Sequence, residues 1–229
     1  MAKRFALVGA MFLLASLAAF AGDVAQFVNL GFSSESRYFM FGQFGTVEQD
    51  STPWAESYIV DMAANSFAPR GTRQFTSTQR VDPGASGIGA LISVLDDGIA
   101  IKKQYHIDHL ATGRLLYILV DGEQAADSLE FRDFQTGRSY KVGLTQSVAT
   151  NGAVTSSFSI AVTVVEKDGK TRSLTLGDSS YRRFGVKAYH IKQIILAPDG
   201  GSLVFLVQKE QQDKNGVAIR YMVETARVK

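Results

Sequence analysis

The chain predicts a mainly β fold with one central α-helix, an α+β arrangement in which an antiparallel meander carries two blade-like β units at the chain ends. Three observations predict it. Short runs of β-branched and aromatic residues recur along the chain, punctuated by Gly, Pro, Asn, Asp and Ser. A single stretch breaks that rhythm with helical spacing. A strand–turn–strand pattern near residue 30 returns near residue 195.

The first 21 residues read as a secretory signal peptide. Lys3 and Arg4 form a positive n-region, residues 5–20 are apolar and uncharged, and Ala19-Phe20-Ala21 is a small-x-small cleavage pattern ahead of Gly22. The alternative is a retained anchor. The apolar run is short of the roughly 20 residues that span a bilayer, and no stop-transfer pattern follows Asp23. Without cysteine there is no lipid attachment, disulfide, thiolate nucleophile or Cys-ligated zinc. Cleavage removes Lys3 and Arg4 and leaves 22 basic against 22 acidic side chains. A balanced chain has no broad attraction for nucleic acid or anionic lipid. Residues 22–229 are long enough to bury a core and are expected to form one β-rich exported domain.

The elements follow in order. Residues 27–32 and 37–43 flank the polar turn Ser33-Ser34-Glu35-Ser36, and residues 56–62 and 73–77 continue as strands after a loop containing Pro53. Ile88, Leu91, Ile92, Leu95 and Ile99 then fall at helical spacing, which predicts one helix over residues 86–105. Lys102 and Lys103 complement its C-terminal dipole. Strands are expected at 115–120, 128–134, 139–146, 155–166 and 171–176. Gln135-Thr136-Gly137, Asn151-Gly152 and Lys167-Asp168-Gly169 supply the turns between them. Residues 188–196, 202–208 and 218–225 close the chain as β.

The repeat aligns Phe32, Phe39 and Phe41 with Leu196, Leu203 and Phe205. Each copy (about 26–62 and 188–226) is a strand, a tight polar turn, a second strand, a loop and a third strand. One copy alone cannot bury its apolar face, so the two are expected to pack together or share a sheet.

The first copy, from Phe27-Val28-Asn29-Leu30-Gly31-Phe32-Ser33 through Arg37-Tyr38-Phe39 and Phe41, resembles the Phe-Ser-Pro-Asp-Gly-Arg-Tyr-Leu-Ala-Phe unit of periplasmic WD40-like, TolB-like propeller repeats. Ala197-Pro198-Asp199-Gly200 with Val204-Phe205 carries the same resemblance more plainly, whereas the first copy has Ser34-Glu35-Ser36 where that unit turns on Pro-Asp-Gly. Two units fall short of a complete propeller. Taken whole, the order of leader, blade-like unit, helix, β region and final Ala-Pro-Asp-Gly unit resembles a family of predicted secreted bacterial proteins, domain of unknown function 2259. That resemblance implies export and a β-rich fold. It implies no activity and no catalytic residue.

Candidate chemistry is sparse. Tyr105-His106-Ile107-Asp108-His109 holds two of the three histidines, and His106, Asp108 and His109 are the metal-ligand candidates. On a helix the two imidazoles share a face and Asp108 diverges. His190 sits in a predicted strand and joins them only if the fold brings it there. Gly84-Ala85-Ser86-Gly87-Ile88-Gly89 lacks both the dinucleotide-binding and the nucleophile-elbow spacing. Asp96-Asp97 and Glu130 with Asp133 are acid pairs of the kind a glycosidase uses, with nothing to show that any two face each other. Trp54, the single tryptophan, is a ligand contact if exposed and a core cap if buried. Tyr181, Arg182 and Arg183 join aromatic and cationic groups suited to a carboxylate, a phosphate or a glycan.

These features point to a non-enzymatic binding or scaffolding module of the periplasm or exterior. It has no cofactor, an envelope protein or glycan as partner, no nucleic acid, and no stable membrane insertion after leader cleavage. The alternative is a metal-dependent hydrolase of envelope substrates using His106, Asp108 and His109. An outer-membrane barrel is a minor third class: several strands are too short or charged on both faces, and the chain ends Arg227-Val228-Lys229.

Overall fold

A computed structural model describes residues 21–150, 152–213 and 216–229. The expected leader before Ala21, and Asn151 at its hairpin turn, lie outside the described residues. The chain runs through β1 (Ala21–Val24), β2 (Gln26–Ser33), β3 (Tyr38–Val47), β4 (Thr52–Asp61) and β5 (Ser66–Thr76). Two short helices follow, α1 (Ile88–Asp97) and α2 (Ile99–Gln104), then β6 (Ile107–Asp108), β7 (Arg114–Ile118) and β8 (Ser128–Arg132). The remainder is β9 (Ser139–Ala149), β10 (Thr155–Val165), β11 (Thr171–Phe184), β12 (Val186–Leu196), β13 (Ser202–Asp213) and β14 (Gly216–Arg227). None of the helices among the described residues is long and apolar enough to cross a membrane.

The strands form three sheets. A first sheet has the order β5-β4-β3-β2-β6, a central sheet β1-β14-β13-β12-β7, and a third sheet β11-β10-β9-β8. Neighbouring strands are antiparallel except β1, which runs parallel to β14.

Side-chain alternation explains the layering. On β3, Phe39 and Phe41 join Phe32, Val60 and Met62 in a cluster with Ile195, Ala197 and Val204 of the central sheet. Met40, between those two phenylalanines, faces the other way and packs with Leu30, Ile59, Ile101 and Tyr105. The first sheet is thus covered by helices on one face and by the central sheet on the other. In the central sheet Val204 faces the first sheet, whereas Leu203, Phe205 and Val207 join Tyr140, Val142, Phe158 and Ile160 of the third sheet. Burial on both faces accounts for the unbroken apolar run Leu203-Val204-Phe205-Leu206-Val207, in which every residue is fully buried.

The repeat coincides with strand register. Phe32 lies directly opposite Phe39 in β2–β3, and Leu196 lies opposite Leu203 in β12–β13. The connecting turns match as well. Ser36 N–H donates to Ser33 O (2.8 Å) and Gly200 N–H donates to Ala197 O (2.9 Å), with positive φ at both Ser36 (54°) and Gly200 (62°). Gly adopts that conformation freely, and a small polar residue tolerates it. The two copies therefore build equivalent hairpins, each extended by a third strand. They lie in facing sheets and do not share one.

Three expectations are corrected. The single helix over residues 86–105 is two helices. Gly98, at φ −82° and ψ 0°, ends α1 by donating to Val94 O (3.0 Å) and starts α2 by accepting from Lys102 N (2.9 Å). Glycine's weak helix propensity places the break there. The strand expected at residues 171–176 runs on to Phe184, with an irregular bulge: Phe158 pairs with Asp178 but Ser156 pairs with Arg183. β1 and β6 have no counterpart among the expected strands.

Candidate functional site

A hollow of about 620 Å³ lies where the two equivalent turns meet. Glu35, Ser36 and Arg37 come from the first turn, Asp199 and Ser202 from the second, and Asp61 to Ala64 and Arg227 from the ends of the third strands. The turns touch directly: Asp199 N–H donates to Ser36 Oγ at 3.3 Å. Arg37 leans toward Asp61 at 3.5 Å with its side chain largely exposed, and Arg227 is exposed. Asp61 Oδ1 also accepts from the backbone of Ala63 (3.1 Å) and Ala64 (3.2 Å), and Asp199 Oδ1 accepts from Gly201 N–H (2.8 Å). The carboxylates are thereby held in place, while the two guanidiniums are solvent-exposed.

Next to the lining residue Ala64, Asn65 ties the first sheet to the last strand. Its Oδ1 accepts from Thr225 N–H (2.7 Å), and its Nδ2 donates to the buried Glu224 carboxylate. Thr225 Oγ1 in turn donates to Met62 O at 2.9 Å. Such a cleft offers donors and acceptors of both charges. Its lining holds two hydroxyls, from Ser36 and Ser202, beside three carboxylates and two guanidiniums.

The residues picked out by sequence reasoning are dispersed. Trp54 is 7% exposed, so it caps the core. The Arg220 guanidinium lies 4.1 Å from its ring centroid and binds Asp23 Oδ2 at 2.6 Å. On the β11 bulge Tyr181 and Arg183 lie in contact, and Arg182 makes a separate one. Arg183 stacks 4.9 Å from the Tyr181 ring and 5.1 Å from Phe158, and Arg182 reaches Ser147 Oγ at 3.4 Å.

His106, Asp108 and His109 are exposed around β6. One His109 ring nitrogen contacts Leu30 O (2.7 Å) and the other contacts Lys102 Nζ (3.1 Å), while Asp108 Oδ1 accepts from Leu110 N–H (2.9 Å). His190 is on the central sheet beside Glu210 (3.0 Å), apart from the other two histidines. Among the described residues there is no group of three or more His, Asp or Glu side chains placed to hold a metal.

The acid pairs are divided among cations. Asp97 pairs with Arg73 (3.1 Å) and Glu130 with Lys141 (3.4 Å). Asp133 is buried and takes both Arg114 nitrogens (2.8 and 2.6 Å), Gln135 N–H (3.0 Å) and Thr136 Oγ1 (2.5 Å). The Arg114 hydrogen bonds, outweighing burial, hold its carboxyl well below the usual carboxylate range. Asp133 therefore ties the third sheet to β7 of the central sheet.

In the sequence Arg37 and Asp199 stand out only as members of the repeat. The positions that matched between copies, Ser36 with Gly200 above all, were the available signal. That the two turns abut is a tertiary fact.

A search of curated proteins finds no match to the chain. A family model described as Predicted secreted protein (DUF2259) matches residues 40–227.

Proposed function

The chain belongs to this predicted secreted family, and from that premise we propose that it is a non-enzymatic binding module of the bacterial envelope. It is exported through its leader, cut near Ala21–Gly22, and meets an envelope protein or glycan in the periplasm or beyond. The cleft between the two turns is the recognition site. One observation carries this reading: two equivalent hairpins, far apart in sequence, converge to build a single mixed-charge cleft of about 620 Å³. Concave sites with a few convergent polar groups are where ligands dock. The likeness of both hairpins to propeller-repeat units, whose loops serve recognition, agrees with this role.

A photo-crosslinking residue placed at Glu35 in the intact envelope tests the site, with the exposed Lys170 as control position. A discrete adduct from position 35 and none from 170 supports the cleft. Equal labelling from both, or none, overturns it. Intact mass of the recovered protein tests export, since loss of residues 1–21 is the expected result.

A further inference from the structure

A second site lies away from the cleft and does not depend on it. Tyr189, Lys209 and Arg220 form one row across β12, β13 and β14, Lys209 being directly opposite both of the others. The row faces Arg183 of β11, whose guanidinium is 6.0 Å from the Tyr189 ring. Three cations thus converge from two sheets. Arg220 is matched by Asp23 (2.6 Å). Glu56, whose charge acts on Lys209, is already shared between Gln43 Nε2 (2.8 Å) and the Tyr58 hydroxyl (2.6 Å).

Arg183 is the unbalanced member. Its Nη1 is buried without a hydrogen-bond partner among the described residues. The nearest carboxylate on its own strand, Asp178, is exposed and bound to Ser180 N–H (2.7 Å) and Oγ (2.6 Å). Leaving a cationic donor desolvated and unpaired is costly, and the cost is relieved by an anion that accepts from it. Lys209 feels the same imbalance. Burial, then Arg183, pushes its ammonium below the usual lysine range, against the pull of Glu56.

Three aromatic rings hold the guanidinium in place: Phe158, Tyr189 and Tyr181. Stacking on the rings holds the guanidinium while Nη1 is left without an acceptor among the described residues. Phe158 and Tyr189 are fully buried, whereas Tyr181 is 59% exposed on the bulge. Tyr181 is the ring free to turn aside.

We propose that Arg183 and Lys209 form an oxyanion-binding site, taking a carboxylate or phosphate group beneath Tyr181. The test is titration of the leaderless protein with inorganic phosphate against chloride at constant ionic strength. A parallel arm uses phosphatidylglycerol vesicles against phosphatidylcholine vesicles.

Saturable phosphate binding is expected, weakened about tenfold by Arg183→Ala and severalfold by Lys209→Met. It should be unchanged by Arg172→Ala, which removes an exposed charge from the same strand. Binding to phosphatidylglycerol vesicles alone, lost in Arg183→Ala, identifies a lipid headgroup as the source of the anion. Should Arg183→Ala fail to fold, Arg183→Lys and Lys209→Met carry the test. Absence of binding in both arms overturns the site, as does equal weakening by Arg172→Ala.

Discussion

The two faces of the central sheet are secured by different means. Toward the third sheet the contact is a broad apolar cluster running from Tyr140 to Val228. Toward the first sheet the apolar cluster is smaller, and a file of polar contacts extends it: Asp199 to Ser36, Thr225 and Glu224 to Asn65, Tyr221 to Gln43, and the Arg220 guanidinium to the Trp54 ring. The difference follows from β14. β1 covers its outer edge only at Val217 and Ile219, so the later backbone donors that point away from β13 have no strand on that side. Gln43 Oε1 accepts from Tyr221 N–H (2.8 Å) and Asn65 Oδ1 accepts from Thr225 N–H (2.7 Å). Side chains of one sheet thus complete the edge of another. Apolar packing supplies the bulk of stability, and the polar file fixes how the hairpins meet and so shapes the cleft.

The sharpest break of the apolar face is Phe205→Ala. Phe205 is fully buried, and its loss is expected to cost about 3–5 kcal/mol in chemical denaturation.

Asp133→Asn comes next, because it leaves Arg114 without its counter-charge; a loss of about 2–3 kcal/mol at neutral pH is expected. The sign of its pH dependence is fixed. A carboxyl held below its unfolded value adds stability above about pH 4, and that stability drains away as pH falls further. Denaturation at pH 7 and pH 3 should show a smaller acid loss in Asp133→Asn than in the wild type.

The polar file is probed by Asn65→Gly, which preserves the positive φ of 48° and deletes the amide. About 1–2 kcal/mol is expected, with faster hydrogen exchange at the Thr225 amide. A loss as large as that of Phe205→Ala would erase the distinction between the faces.

Much of this was legible in the chain. Phe39 and Leu203 could be matched because equivalent residues occupy equivalent register positions, and the turns at Ser33–Ser36 and Ala197–Gly200 announced themselves through residues that tolerate positive φ. The helical spacing of Ile88, Leu91 and Leu95 located the helical region, though the break at Gly98 depends on how α2 turns to seat Ile101 and Tyr105 against β2 and β3. β1 was hidden because a strand of four residues carries little pattern, and its partner lies nearly two hundred residues away. Trp54 read as a possible contact because nothing local shows that Arg220, on the last strand, covers it. The cleft was hidden for the same reason: Arg37, Asp61, Asp199 and Arg227 are ordinary turn and strand-end residues until the hairpins meet.

The central claim is that the polar side of the central sheet builds a recognition cleft. The most direct measurement is partner capture by the double variant Arg37→Ala/Arg227→Ala, using the adduct partner trapped at position 35. Both side chains are exposed, so stability should stay within about 0.5 kcal/mol of the wild type. The account predicts that capture falls at least about tenfold with the fold unchanged. Undiminished capture by the folded double variant would contradict it.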